Sequence, residues 1–152
     1  MSTTESQARA AVKAQLPASA FTFPIYWQGD AAPTLPDQPA PFAFVVFNNQ
    51  GSGGRPTAYG GGAGRNLYRN RALVEVFVFS PIGSETGAAP ASDRAEQIAS
   101  RLRGFRDGDI SCYAADVIFI GPGSSISLPG LDAVNNYQCA VAEITLSYDQ
   151  IG

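Results

Sequence analysis

Histidine is missing from all 152 residues of this chain. It is the usual general acid–base near neutral pH and a common ligand of catalytic zinc, so Ser-His-Asp and Cys-His sites cannot be built from this chain alone. Carboxylate chemistry would need Asp or Glu brought together by the fold. The acids stand singly along the chain, and only Asp107 and Asp109, in Arg106-Asp107-Gly108-Asp109, lie close to one another. That quartet has the turn chemistry of Asp and Gly and is expected to be a polar turn after a helix. Lysine is nearly absent as well: Lys13 stands against nine arginines. Positive charge is therefore mostly of the planar, bidentate kind suited to pairing across interfaces, although GC-rich coding gives the same bias.

Other shortages narrow the field further. A net charge of −3 and a pI near 4.8 argue against general affinity for nucleic acid, which depends on neutralising phosphates with Lys and Arg. A local basic patch stays open. The two cysteines, Cys112 and Cys139, make neither a disulfide framework nor a metal-ligand spacing and are expected to be ordinary buried thiols. No catalytic residue, cofactor or metal is expected. The first residues lack a basic region followed by an apolar run, so no signal peptide is expected. No stretch approaches the ~20 apolar residues of a membrane span, and synthesis in a reducing cytoplasm is the expectation.

What the chain has in plenty is glycine in one place. Seven of its sixteen glycines lie between Asn49 and Asn66. A segment of that length without an apolar period cannot bury itself, and inside a compact domain it is usually functional or disordered. Arg55 and Arg65 lie within it and Tyr59 at its centre, and the strand that leaves it begins Leu67-Tyr68-Arg69-Asn70-Arg71. It is no phosphate cradle: Gly64-Arg65-Asn66 lacks the Gly-Lys-Ser/Thr ending and runs into a strand pattern rather than a helix.

The remaining pattern is that of one domain, 45% hydrophobic and 11% aromatic. Ser2 with Glu5 makes a possible capping box, and Ala8, Val12 and Leu16 repeat at helical spacing, predicting a helix from about Thr4 to Leu16. Phe21 to Trp27 predicts a short aromatic strand, edge or bulged because of Pro24. Residues 30–41 carry Pro33, Pro36, Pro39 and Pro41 and predict a stiff, extended connector, with a PxxP ligand as the sharper alternative. Phe42 to Phe47 has no polar break, as in a strand covered on both faces, or by helices on one face and a neighbouring subunit on the other. Leu67 to Phe79 alternates. Ala72, Val74, Val76 and Val78 line one face, while Arg69, Arg71, Leu73, Glu75, Phe77 and Phe79 line the other, which runs from charged to aromatic.

Pro90 suits the first turn of a helix, and Ala91, Ala95, Ile98, Leu102 and Phe105 follow at helical spacing up to the stop at Gly104. Two more strands are predicted, Cys112 to Ile120 and Tyr137 to Tyr148, separated by a glycine and serine loop over 121–136. The expected fold is α+β: a mixed, mostly antiparallel sheet, two helices packed on one face, and a long β-arm or loop over 49–71 projecting from a single domain 1–152.

These pieces resemble the tail-terminator proteins of long-tailed bacteriophages and gene transfer agents. The matching elements are the N-terminal helix, Phe23-Pro24-Ile25-Tyr26-Trp27, the segment Tyr68 to Val78, the helix Ala95 to Arg103, and the ending Tyr137-Gln138-Cys139 to Ser147-Tyr148-Asp149. The likeness covers nearly the whole chain and lies in order and texture, not in an invariant motif. It implies a structural virion protein, not an enzyme, assembled in a bacterial host cytoplasm. Such a protomer closes into a homo-oligomeric ring, expected to be a hexamer, at the head-proximal end of the tail tube. There it ends tube polymerisation and joins the tail to the head connector, with the tail-tube protein and a neck protein as partners, DNA only as passing cargo, and no membrane. The arm is then the contact element, with Arg55, Tyr59, Arg65, Tyr68, Arg69 and Arg71 as protein-interaction residues facing a neighbour or the lumen. Alternatives are a head-completion or connector protein, and a carbohydrate- or ligand-binding module using Tyr26, Trp27 and the acids.

Overall fold

The computed structural model describes residues 2–31, 34–60, 62–83, 89–128 and 135–152. In chain order the elements are α1 (Glu5–Gln15), β1 (Ile25–Trp27), β2 (Phe42–Gly51), β3 (Leu67–Pro81), α2 (Ala89–Leu102), β4 (Arg106–Asp107), β5 (Ile110–Pro122) and β6 (Tyr137–Ile151). The strands form one sheet in the order β1-β2-β3-β6-β5-β4. Among the described residues only the β1–β2 pairing is parallel; the other pairings of named strands are antiparallel. The expected α+β class, with a mixed and mostly antiparallel sheet, is what the chain adopts.

The sheet is built around β3 and β6, which pair without a register shift from Leu67↔Ile151 to Pro81↔Tyr137. Because side chains alternate, this single register sorts both strands into two faces. Ala72, Val74, Val76 and Val78 join Ala140, Ala142, Ile144 and Leu146 on the face that packs the helices. Ala8, Val12 and Leu16 of the N-terminal segment and Ala91, Ala95, Ile98, Ala99 and Leu102 of α2 complete that core, all but Leu16 with no exposed surface. The small residues Ala140 and Ala142 are fully buried on this face.

The opposite face has its own core at one end. Phe42, Phe44, Phe77, Phe79, Tyr137, Cys139 and Val141 are buried there, covered by Tyr26, Leu35, Ile126 and Leu128. Phe42 stacks on Phe79 at 4.8 Å, and Tyr137 stands edge-on to Phe42 at 5.3 Å, the geometry that the ring quadrupoles favour. The Ala40 amide donates to the Tyr137 hydroxyl, tying the proline-rich connector to this cluster. The β2 run is thus covered on both faces by its own chain, and a neighbouring subunit is not needed there.

Local details differ from the sequence reading. The capping box is Thr4 with Gln7, not Ser2 with Glu5: the Gln7 amide donates to Thr4 Oγ1 and the Thr4 amide to Gln7 Oε1. The aromatic segment is a strand only from Ile25, after a short 3-10 turn at Ala18–Ala20. The polar turn at Gly108-Asp109 joins two strands, since β4 follows the helix stop at Gly104 and pairs back on β5. Residues 32, 33 and 129–134, which include part of the proline connector and of the second glycine loop, lie outside the described residues. Both thiols are buried, and burial pushes Cys112 up to about 11 and Cys139 up to about 12, so neither is a reactive thiolate.

Ile144 of β6 is fully buried in the core on the helix-packed face of the sheet. Ile144→Ala is expected to cost about 2–5 kcal/mol, read as a lowered midpoint in urea unfolding with an unchanged slope.

Candidate interaction surface

The glycine-rich loop folds back along the start of β3. Where β2 ends, at the Gly51↔Arg71 pair, Ala58 takes its place as neighbour to Leu67. The Thr57 amide donates to the Leu67 carbonyl at 2.6 Å, and the Leu67 amide donates to the Ala58 carbonyl at 2.8 Å. Asn66 exchanges two backbone hydrogen bonds with Gly152 at 3.2 and 3.0 Å, so the loop is tied to the end of β6 as well. Glycine is required for particular reasons. Gly53 and Gly54 take φ +69° and +74° in succession, and a Cβ at Gly60 would collide with the Arg65 carbonyl.

This backbone presents side chains outward. Tyr59 is 81% exposed, and Arg55, Arg65 and Arg71 are exposed, with guanidinium groups that make no hydrogen bond or ion pair to a described residue. Arg55 and Arg71 line an open cleft of about 630 Å³ with Gln50, Ser52, Pro56 and Thr57. Arg69 lines the same cleft, but its guanidinium is engaged. It stands opposite Asp149 in the β3–β6 ladder and grips it with both prongs, Nε to Oδ1 at 2.8 Å and Nη2 to Oδ2 at 2.9 Å. That fork holds Asp149 below the usual carboxylate range. Tyr68 is half-buried beside the end of the chain. Of the six residues expected to make contacts, Arg55, Tyr59, Arg65 and Arg71 are therefore free to reach a partner, while Arg69 braces the loop's foot.

The arginines of α2 are used internally, as their positions on the helix imply. Arg94 donates to Ser80 Oγ, Arg101 to the Gln15 carbonyl, and Arg103 to both Glu96 and the Ala115 carbonyl on the outer side of β5. Lys13 lies over Trp27 at 5.3 Å, and Trp27 is buried in the helix-side core. Tyr26 packs on the aromatic cluster. Neither ring is an open sugar platform.

Two features were missed from sequence. The first is a row of acids. Glu143 sits directly opposite Glu75 on one side and opposite Asp116 on the other, all on the face away from the helices. The singly spaced acids are thus gathered into a line across three strands. Burial, with Glu143 alongside, raises Glu75 above the usual carboxylate value. Among the described residues no group of His, Cys, Asp or Glu converges as metal ligands would. The second is the β5 edge. Bulges at Tyr113 and Ile120 break its register, and Tyr113, Ile118, Phe119 and Ile120 are 57%, 46%, 41% and 38% exposed. An alternating pattern cannot reveal a bulge, because one extra residue exchanges the two faces.

No protein-family model matches this chain, and no characterised protein matches it significantly in sequence. Among the described residues no helix is long and apolar enough to cross a membrane.

The acid row has a thermodynamic signature. Glu75 binds its proton more tightly folded than unfolded, so its ionisation costs stability above the folded-state value, and the cost vanishes below the ordinary value of 4.5. Glu75→Gln should raise the melting temperature at pH 7, with the gain shrinking as pH falls toward 4.5 and absent below it; thermal melts across that range measure it.

Proposed function

We propose that this chain is a structural subunit of a tail-terminator ring, capping the head-proximal end of a phage or gene-transfer-agent tail tube and offering a surface to the head connector. The observation that carries the reading is the loop. A hydrogen-bonded platform of residues 51–60 and 62–66, with the start of β3, displays Tyr59, Arg55, Arg65 and Arg71 with no internal work for them. Exposed tyrosine and arginine without intramolecular partners are the residue types that anchor protein interfaces. The order and texture shared with terminator proteins over nearly the whole chain support the same role.

The sheet supports it independently. β1 covers β2 only from Ala43 to Val45, and β4 covers β5 only at Ile110 and Ser111. Both ends of the sheet thus leave strand edge without a described partner strand. Open edges invite pairing with another chain, and closed cyclic assembly covers every one of them. The role calls for shape and charge, and no side chain needs to do chemistry.

Removing residues 51–64 takes away exposed surface and few core contacts, so the shortened protein should keep its circular-dichroism spectrum while failing to enter particles. Immunogold labelling of particles made with the intact chain should mark the head–tail junction. Normal incorporation of the shortened chain, or label elsewhere on the particle, would overturn the reading.

A further inference from the structure

The open cleft at the foot of the glycine loop is chemically one-sided. Its volume of about 630 Å³ is in the range of small-ligand sites, although such sites are mostly apolar and this one is lined by donors. Arg55 comes from the loop and Arg71 from β3, and neither guanidinium has a partner among the described residues. Arg69 holds Asp149 through Nε and Nη2, which leaves Nη1 without a described partner. Two hydroxyls complete the set. Ser52 Oγ accepts the Gly54 amide at 3.3 Å, and Thr57 Oγ1 accepts the Arg69 amide at 3.2 Å. Each is thus engaged as an acceptor and keeps its single proton for another oxygen. Among the described residues no carboxylate lines the cleft. Asp149 is occupied by Arg69, and Glu75, on the same face of β3 as Arg71, stands four residues on, roughly 13 Å along the strand.

We propose that this cleft binds the terminal phosphate of a small phosphomonoester or pyrophosphate-type ligand. The donor set selects that chemistry. Two unpaired guanidinium charges match a dianion, and a terminal phosphate carries close to two charges at pH 7 with three strong acceptor oxygens. A carboxylate has one charge and two oxygens, and leaves one arginine idle. A phosphodiester of a DNA backbone also carries a single charge. The loop still lacks the Gly-Lys-Ser/Thr pattern of a backbone phosphate cradle; the donors here are side chains, and the planar fork of arginine suits phosphate oxygens. No aromatic ring is among the described residues that line the cleft, so the phosphate is recognised and a base is not stacked. The inference goes beyond the ring reading and does not rest on it, since Tyr59 and Arg65 lie outside this lining and remain for a protein contact.

Isothermal titration calorimetry of the intact chain at low ionic strength, with pyrophosphate and inorganic phosphate as probes, tests this. One pyrophosphate should bind per chain. Arg55→Gln and Arg71→Gln should each weaken binding at least about tenfold, because each removes a charge-assisted hydrogen-bond donor. Arg65→Gln, on the same loop but outside the cleft, should leave binding unchanged. All three side chains are exposed, and circular dichroism verifies that the variants fold. Acetate at matched ionic strength should bind at least about tenfold more weakly than pyrophosphate. Absence of saturable binding by either phosphate probe overturns the site, as does equal weakening by Arg65→Gln, which would mean diffuse charge. Binding of a short DNA duplex that the Arg55 and Arg71 variants abolish, without binding of pyrophosphate, would give the cleft to the phosphodiester backbone and overturn the terminal-phosphate assignment. None of these readouts depends on subunit number, so failure here leaves the ring reading standing, and a monomer that binds pyrophosphate would separate the two the other way.

Discussion

Everything in this fold hangs on the register of β3 against β6. Fifteen consecutive residue pairs fix which side chains meet the helices and which do not, and a slip of one residue would exchange the two sets on that strand. The same register lays Arg69 on Asp149 and Glu75 on Glu143, one pairing favourable and one not. Hydrophobic burial on the helix face is strong enough to hold both. An interaction that costs stability is thus imposed by the packing beneath it, and it survives because the valines and alanines on the reverse side of the same strands admit one alignment.

Much of this could be read in the chain itself. The two helix stripes, the alternation of β3 and β6 and the change from charged to aromatic along β3 are local patterns, and local patterns declare themselves. The parallel pairing of β1 with β2 depends on a distant partner that no short window of sequence contains, whereas the two-residue β4 and the Thr4–Gln7 cap are local, and Ser2 is taken instead by the Ile151 amide at the far end of the chain. The acid row is the clearest case. Glu75, Asp116 and Glu143 are isolated in sequence and adjacent only through the ladder. Arg69 shows the converse, because its place in a run of arginines hid the fact that Asp149 occupies it.

Side-chain charge gives the sheet a polarity that its backbone does not have. Antiparallel ladders have almost no net dipole, yet here guanidinium groups gather on the glycine platform while Glu75, Glu143 and Asp116 line up across three strands. The glycines serve this arrangement by letting a loop turn sharply enough to lie on β3 while its side chains point away.

The most direct measurement is native mass spectrometry of the purified chain at low ionic strength. The account predicts one discrete species at a fixed multiple of the 15.9 kDa subunit, giving way to monomer as salt rises, because a closed ring has one stoichiometry. A monomer under all conditions, or a dimer unaffected by salt, would contradict it.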